Sequence, residues 1–538
     1  MLRNRKEMPG LTSVSIMNMI FIGISLTRSI SCEASNILVN PLIGKGSHFY
    51  LSAAIGEQLL TRGHNLTYLV SNAFEDHVRQ SRFGEMFHYE IFKHTIPVED
   101  IHQLFYNLSR SISSRGPGNE YMVSRILFQT QQNDCNAIIE DEILMTRLRS
   151  ADFSSLLFDS TWVCGAIIAE VLNLPYFAVV PYPSPCFHTA SEGSGFNPAI
   201  VPSIMTGFSS VMSFKERLFN SLSFLIYHNL GIQVTLKPYR TLCAKYGLPD
   251  PYDLMKRTKL WLINNDFVGE YPCALPPNVI PVGGLTAKDP EQLPSDIESF
   301  IQGSEEDGII ICSFGSILIL DESNMALMKM FVDAFARLPQ RIIWLLKTSP
   351  SFPIPSSIKI VPWLSQNDIL GHPQTKAIFF HGGHNSYYEA IYHGVPAVVM
   401  PILADQHDVS SRIVNFGLGL KLNKDIITSD LIYEALHEVT SNSAYFQTAK
   451  MMSANFRNRP MKPAERAAFW IDHAIKHGTD NLKLTGDSLN IFQYYLLDVI
   501  VFIFILIFLS FYFAIKCIKM TFSKLYCFVH IPTKKKTE

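Results

Sequence analysis

Trp363 to Gln406 reads WLSQNDILGHPQTKAIFFHGGHNSYYEAIYHGVPAVVMPILADQ. Short apolar runs alternate with polar clusters, and each cluster falls where a strand should hand over to a helix. Lys376 to Phe380 has the composition of a buried strand. His381-Gly382-Gly383 breaks it, and Asn385 and Ser386 then open a helix that carries Glu389. In an open α/β sheet, ligands bind outside the carboxyl ends of the strands. A glycine-led helix start lets backbone amides approach phosphate oxygens, and its dipole favours negative charge. Asn385 and Glu389, four apart, share one helix face. A diphosphate at the helix start and a ribose one turn along fit this stretch. His381 would donate to the phosphates, Trp363 would stack on a base, and Glu389 would accept from the ribose hydroxyls. Taken alone, a Gly-Gly turn is also plain loop geometry.

The same alternation extends in both directions. Ile309 to Ser313, Ile342 to Leu346, Ile358 to Val361 and Ala397 to Met400 read as further strands with helices between them. Nearer the N-terminus, Asn36 to Pro41 is a strand, Phe49 to Arg62 a helix, and Leu66 to Val70 the next strand, which is a βαβ unit. Ser155 to Phe158, a helix over Cys164 to Leu172, and Tyr176 to Val180 continue that series. Pro181 to Pro202 reads as a long irregular loop. The Pro- and Gly-rich stretch from Pro272 to Pro294 separates the two series. The expected fold is therefore α/β, with two tandem Rossmann-like domains over residues 32–281 and 282–490 and a cleft between them.

With 538 residues and a net charge of -2, nothing in the composition points to nucleic acid. Arg3, Arg5 and Lys6 precede an apolar stretch and a small-x-small site at Ser29-Ile30-Ser31, so residues 1–31 read as a signal peptide. Residues 494–515 hold a single charge, Asp498, and are long enough to cross a bilayer, for which roughly 20 residues are needed. Lys516, Lys519, Lys524 and Lys534 to Lys536 follow, which places residues 516–538 on the cytosolic side and the main body in the lumen. The final Lys535-Lys536-Thr537-Glu538 resembles a dilysine retrieval signal of endoplasmic reticulum membrane proteins. The expected location is the ER membrane, single-pass and type I. Homo- or hetero-oligomers are compatible with that layout. The nine cysteines have no CxxC spacing, so disulfides are permitted without being demanded. Of the two N-x-S/T sequons, Asn107 is the better glycosylation candidate, because Asn65 begins an apolar strand and is expected to be inaccessible. Met205 to Leu230 is apolar and aromatic. It reads as a pair of helices that line a pocket or touch the membrane, or else as ordinary core.

W-L-x-Q-N-D-I-L-x-H-P, then H-G-G-x-N-S-x-x-E-A-I-x-x-G-V-P, then A-D-Q resembles the signature of the UDP-glycosyltransferase family, whose best-known animal members are the UDP-glucuronosyltransferases. Ser313-Phe314-Gly315-Ser316 and Val282-Gly283-Gly284-Leu285 extend the likeness. The resemblance implies a glycosyltransferase-B fold and roles by position. Trp363 would stack on uracil with Gln366 beside it. His381, Gly383, Asn385, Ser386 and Ser316 would hold the diphosphate, Glu389 the ribose, and Asp405 and Gln406 the sugar hydroxyls. Four positions depart from the usual pattern: Ser365 for Pro, Phe380 for Thr, His407 for Pro and Val409 for Asn. Of these, Phe380 removes one possible phosphate contact.

The first domain would supply the base. Gly44-Lys45-Gly46-Ser47-His48 follows the first strand, but Phe49 stands where a dinucleotide loop needs its third glycine. The family places a catalytic His after the first strand, matched here by His48, and a partner Asp ahead of a Cys-Gly pair, matched by Asp159 before Cys164-Gly165. Such a carboxylate orients the imidazole and stabilises it when protonated; a helix N-cap is the plainer role for an Asp there. The chain has no D-x-D motif, so no metal and no cofactor beyond the UDP-sugar co-substrate is expected. The expected activity is inverting transfer of a sugar, glucuronic acid first, from UDP to a small lipophilic acceptor. Glucose, galactose or N-acetylglucosamine as donor sugar, including transfer to a sphingoid lipid, is the alternative. A catalytically silent UDP-sugar-binding ER membrane protein is the reading from another class.

Overall fold

The short apolar runs form two sheets in a computed structural model that describes residues 34–42, 44, 46–101, 103, 106–107, 118–183, 197–227, 230, 232–315, 320, 324–484 and 489–529. The expected signal peptide at 1–31, Ser316, the middle of the loop at 184–196 and the tail lysines at 534–536 lie outside these residues.

The first sheet contains Asn36–Asn40 (β1), Asn65–Ser71 (β2), His88–Phe92 (β3), Ser155–Asp159 (β4), Tyr176–Val180 (β5), Leu260–Ile263 (β6) and Val279–Pro281 (β7), in the order β3-β2-β1-β4-β5-β6-β7. The second contains Ile309–Ser313 (β8), Arg341–Leu345 (β9), Ile358–Val361 (β10), Thr375–Phe380 (β11), Ala397–Val399 (β12) and Gly419–Lys421 (β13), in the order β10-β9-β8-β11-β12-β13. Every neighbouring pair is parallel. Parallel strands are covered on both faces, so they read as continuous apolar runs rather than alternating ones. Ile309–Ser313, buried at every position, is an example.

The helices that bear on function are Gly46–Thr61 (α1), Gly118–Glu140 (α2), Cys164–Val171 (α3), Phe214–Ile226 (α4), Gln366–Leu370 (α5), His384–His393 (α6), Gln406–Asn415 (α7), Pro463–His477 (α8) and Leu497–Val529 (α9). In both sheets the strand order reverses beside the first strand, between β1 and β4 and between β8 and β11. Ligand crevices open at such switch points, outside the carboxyl ends of the strands.

Several details differ from the sequence expectations. Helix α1 starts at Gly46, which puts His48 in its first turn rather than in a loop. Helix α8 falls inside the 282–490 stretch yet packs on the first sheet, because Ala467, Ala468 and Ile471 complete the cluster built on Ile37, Val39 and Phe49. Asp472 on α8 also faces His64 at 3.1 Å. Cys135 on α2 and Cys164 on α3 form a disulfide, which the spacing of the cysteines did not reveal. Asn65 is exposed, contrary to expectation, because it is the first residue of its strand and its amide only reaches across to Asn36 Oδ1 at 3.0 Å. Among its described residues, Met205 to Leu230 contributes one α-helix, α4, and not a buried one. Asn220 is its only buried residue, while Phe214, Leu218, Phe219 and Ile226 are exposed. That excludes core packing for it. The apolar C-terminal segment forms α9, in which Leu497–Tyr526 is long and apolar enough to cross a membrane and has no buried part.

Candidate active site

The first switch point brings His48 and Asp159 together. Asp159 is the last residue of β4, and His48 stands in the first turn of α1, the helix that follows β1. His48 Nδ1 lies 2.6 Å from Asp159 Oδ2. The other carboxylate oxygen, Oδ1, accepts from the Thr161 amide at 2.9 Å and the Thr161 hydroxyl at 2.6 Å. Asp159 is buried and His48 is partly exposed, so the pair offers one imidazole nitrogen, Nε2, to the cleft. Burial pulls the His48 pKa down. The charge and hydrogen bond of Asp159 outweigh that, with a smaller push from Asp405, and the net effect is a raised pKa. The loop behind the pair is fixed from two sides. Trp162 is fully buried and donates from Nε1 to Gln131 O on α2 at 3.0 Å, and the disulfide ties α2 to the start of α3.

The second switch point holds His381, just past β11. Burial pushes its pKa down to about 4, so it meets a ligand as a neutral hydrogen-bonding ring. Gly315, in the loop after β8, has φ +71, and a Cβ there would stand 2.9 Å from His381 Cε1. A side chain at this position would displace the ring. Gly383 is the N-cap residue of α6 and supplies no side-chain cap, which leaves the first-turn amides open to an anion. Asn385 and Ser386 stand in that turn. The Asn385 side-chain oxygen accepts from Asn264 Nδ2 at 3.1 Å, so part of this residue already joins the two domains. Phe380 is fully buried, with its ring in the core rather than toward any phosphate.

One turn along α6, Glu389 is buried in a small polar network. Gln366 Nε2 donates to Glu389 Oε2 at 2.7 Å and to Ser386 Oγ at 2.8 Å. Thr286 Oγ1 donates to Glu389 Oε1 at 2.9 Å. Burial nevertheless raises the Glu389 carboxyl to about 7. Trp363, on the loop before α5, is 64% exposed, so a face of its indole is open for stacking.

Asp405 is the N-cap residue of α7 without capping it through its side chain, and Ala404 before it has φ 53, an unusual conformation for a non-glycine residue. Burial raises the Asp405 carboxyl, and the Asp405 and His48 charges interact across the cleft. Gln406 is buried, and its Oε1 accepts the Ile402 and Leu403 amides at 2.9 and 3.1 Å, which leaves its amide group for a ligand.

Other residues of the site carry weak sequence signals. Thr286 directly follows the Val282-Gly283-Gly284-Leu285 segment. Asn264 and Glu270 follow β6, a strand too short to mark itself. Glu270 is buried between His384 Nε2 at 3.1 Å and Arg412, and His384 Nδ1 faces Pro181 O at 3.2 Å. Burial opposes ionisation of Glu270, but Arg412 and His384 together hold its carboxyl below the usual range.

Comparison with known proteins gives the family and the fold. A family profile described as "UDP-glucoronosyl and UDP-glucosyl transferase" matches residues 35–534. Among similar proteins, UDP-glucuronosyltransferase 2B17 of Homo sapiens is 31% identical over 530 residues, covering 95% of this chain and 98% of that protein. The 2-hydroxyacylsphingosine 1-beta-galactosyltransferase of Rattus norvegicus is 30% identical over 472 residues, covering 87% and 85%. Solved structures of like fold include spinosyn forosaminyltransferase SpnP (TM-score 0.58, 14% identity, 82% of this chain and 100% of that one). The calicheamicin glycosyltransferase CalG4 is another (TM-score 0.56, 18% identity, 83% and 99%). Two facing parallel sheets with flanking helices are thus the glycosyltransferase-B arrangement.

Proposed function

Because the chain belongs to the UDP-glucuronosyl and UDP-glucosyl transferase family, and is an enzyme of UDP-sugar glycosyl transfer, we propose that its donor is UDP-glucuronic acid and its acceptor a small lipophilic hydroxyl compound. The observation that carries the mechanism is the His48–Asp159 contact, with Asp405 facing His48 across the cleft. His48 Nε2 takes the acceptor proton as the acceptor oxygen bonds to the anomeric carbon. The bond from that carbon to the UDP oxygen breaks on the opposite face, and its electron pair leaves with UDP, so the configuration inverts. Asp159 stabilises the imidazolium that forms. His381 and the open amides of α6 meet the charge that develops on the diphosphate. Trp363 stacks on uracil beside Gln366, Glu389 receives the ribose, and Asp405 with the Gln406 amide receives sugar hydroxyls. The Ser316 hydroxyl joins the phosphate contacts in this reading.

Similar proteins named as glucuronosyltransferases over more than nine-tenths of the chain support glucuronate. The exposed apolar helix α4 and the apolar helix α9 support a lipophilic acceptor delivered at a membrane. Lysines after the apolar run 494–515 and a disulfide support a lumenal body in the ER membrane. Transfer of galactose to a sphingoid lipid is the second reading, favoured by the likeness to the sphingosine galactosyltransferase. A donor panel decides between them: microsomes containing the full chain receive each UDP-sugar with phenols or a ceramide, and released UDP is measured. UDP release with UDP-glucuronic acid and a phenol is expected. Release only with UDP-galactose and ceramide supports the second reading, and release with no donor supports a silent binding protein.

A further inference from the structure

A strap from the acceptor-side body is fastened to the donor-side body beside Asp405. Asp408 is fully inside the interface at 3% exposure, in the first turn of α7. Its carboxylate does not cap its own helix. Instead Oδ2 accepts the Met205 amide at 2.7 Å and Oδ1 accepts the Gly207 amide at 2.9 Å. Ser411, one turn along, donates from its hydroxyl to Gly207 O. Two amides on two carboxylate oxygens form a charge-assisted, directional clamp. Both donor residues are in the left-handed region, Met205 at φ 65 and Gly207 at φ 63. For Met205 that conformation is strained, so the clamp holds a backbone shape that the segment would not keep alone.

The strap is one unit with the apolar helix α4. Asn220, the buried residue of that helix, accepts the Ser203 amide at 2.6 Å and donates to Pro198 O and Val201 O at 2.8 and 2.9 Å. The C-cap residue of the helix, Tyr227, lies near Tyr182, two residues past β5, the strand whose Val179 pairs with Asp159. Tyr182, which follows β5, interacts with Tyr227 on one side and with Asp159 and Asp405 on the other. The strap therefore spans from a docking point next to the sugar-binding end of α7 to the rim of the His48–Asp159 pair.

We propose that Asp408 is a latch: it fastens the Met205–Gly207 segment to α7 and so sets the position of α4 over the acceptor side of the cleft, coupling acceptor binding to the donor domain. Asp408 is a positioning residue, since it touches neither substrate in this account. The inference rests on the acceptor binding between the two bodies, as in the proposed function.

The test uses the full chain in lipid nanodiscs. Hydrogen exchange of the peptide covering residues 203–208 is followed in the wild type and in Asp408→Asn, together with the affinity for UDP and the acceptor KM. Loss of a charged acceptor for two amides is expected to speed exchange roughly ten-fold and to raise acceptor KM by a similar factor. UDP affinity should stay within about two-fold of the wild type, since the diphosphate and uracil contacts are elsewhere. Met205→Gly, which relieves the strain, should slow exchange and lower acceptor KM. If Asp408→Asn does not fold, Ser411→Ala carries the same measurements with a smaller effect. Unchanged exchange overturns the latch. Faster exchange without a change in acceptor KM, or with UDP affinity falling in parallel, overturns the coupling and leaves an ordinary interface contact. A wild type that turns over no UDP-sugar defeats the proposed function, while the exchange measurement still decides the latch.

Discussion

Asp159 grips His48 with one carboxylate oxygen, at 2.6 Å, and is itself gripped at the other by both donors of Thr161. The contact fixes which imidazole nitrogen faces the cleft, and it presents the negative charge that a protonated ring needs. Asp159→Asn preserves the shape but removes that charge, so kcat should fall by roughly 10^3-fold or more. UDP affinity should be unchanged, because none of the proposed nucleotide contacts involves His48 or Asp159. Thr161→Ala should cost far less. Steady-state kinetics with calorimetric UDP binding checks the set, and full activity in Asp159→Asn would sink the proposed roles.

The same pair sets a pH dependence. A general base must be unprotonated, and the folded environment raises the His48 pKa above its ordinary 6.5. Activity should therefore fall as pH drops through a midpoint above 6.5 and level off on the alkaline side. In Asp159→Asn the residual activity should show that limb displaced to lower pH, since the neutral side chain no longer favours the imidazolium. The pH profile of kcat/KM at fixed UDP-sugar measures both.

Glu389 carries a conflict between stability and binding. Burial raises its carboxyl from 4.5 to about 7. The folded state therefore keeps a proton that the unfolded state has lost, and stability declines as pH rises from 4.5 toward 7. Above that range the ionised group costs on the order of 3 kcal/mol. Glu389→Gln removes the cost, so the variant should melt several degrees higher than the wild type at pH 8, with the difference shrinking near pH 5. It should also bind UDP more weakly if the carboxylate accepts the ribose hydroxyls. Calorimetric melts at two pH values and UDP titration read the two effects separately.

The disulfide between Cys135 and Cys164 closes a loop of 29 residues and ties α2 to the helix that follows Asp159. A loop of that size corresponds to about 3–4 kcal/mol in the chain-entropy account. Cys135→Ala should lower the thermal midpoint and also lower kcat, because the loop from Asp159 to Cys164 loses one of its two anchors. The Trp162 contact to Gln131 remains, so the protein should still fold. Melting with and without reductant, compared with the variant, checks this.

The site was legible where chemistry and position coincide in a short segment. His381 and Glu389 follow a strand long and apolar enough to mark itself, as His48 and Asp159 do in the first domain, and Asp405 follows a strand of only three residues that the adjoining GVP and MPILADQ segments make readable. The partners were not legible. Thr286, Asn264 and Glu270 reach the second-domain site from the first sheet's end and the crossing segment, and no periodicity records a contact across 100 residues of chain. Strands β6, β7 and β13 have four, three and three residues, too few for a pattern. Helix α8 carries an ordinary amphipathic stripe, and which domain it completes depends on the chain crossing back, which its own residues do not encode. The burial of Asn220 alone among the α4 residues was equally hidden, since an exposed apolar helix and a buried one have the same composition.

Trp363 separates recognition from folding. Its indole is 64% exposed on the loop before α5, so its removal should leave the thermal midpoint nearly unchanged. If uracil stacks on it, Trp363→Ala loses a base–aromatic contact of about 1–3 kcal/mol, a drop in UDP affinity of roughly five-fold to 150-fold. Trp363→Phe keeps a smaller face and should recover most of that loss, whereas Trp363→Leu, apolar but not flat, should not. The Gln366–Glu389 hydrogen bond lies deeper and is unaffected by any of the three. Titration of UDP against UDP-free protein for the four chains, with melts recorded in parallel, gives the comparison. Equal UDP affinity in the wild type and Trp363→Ala would place the base elsewhere on the loop.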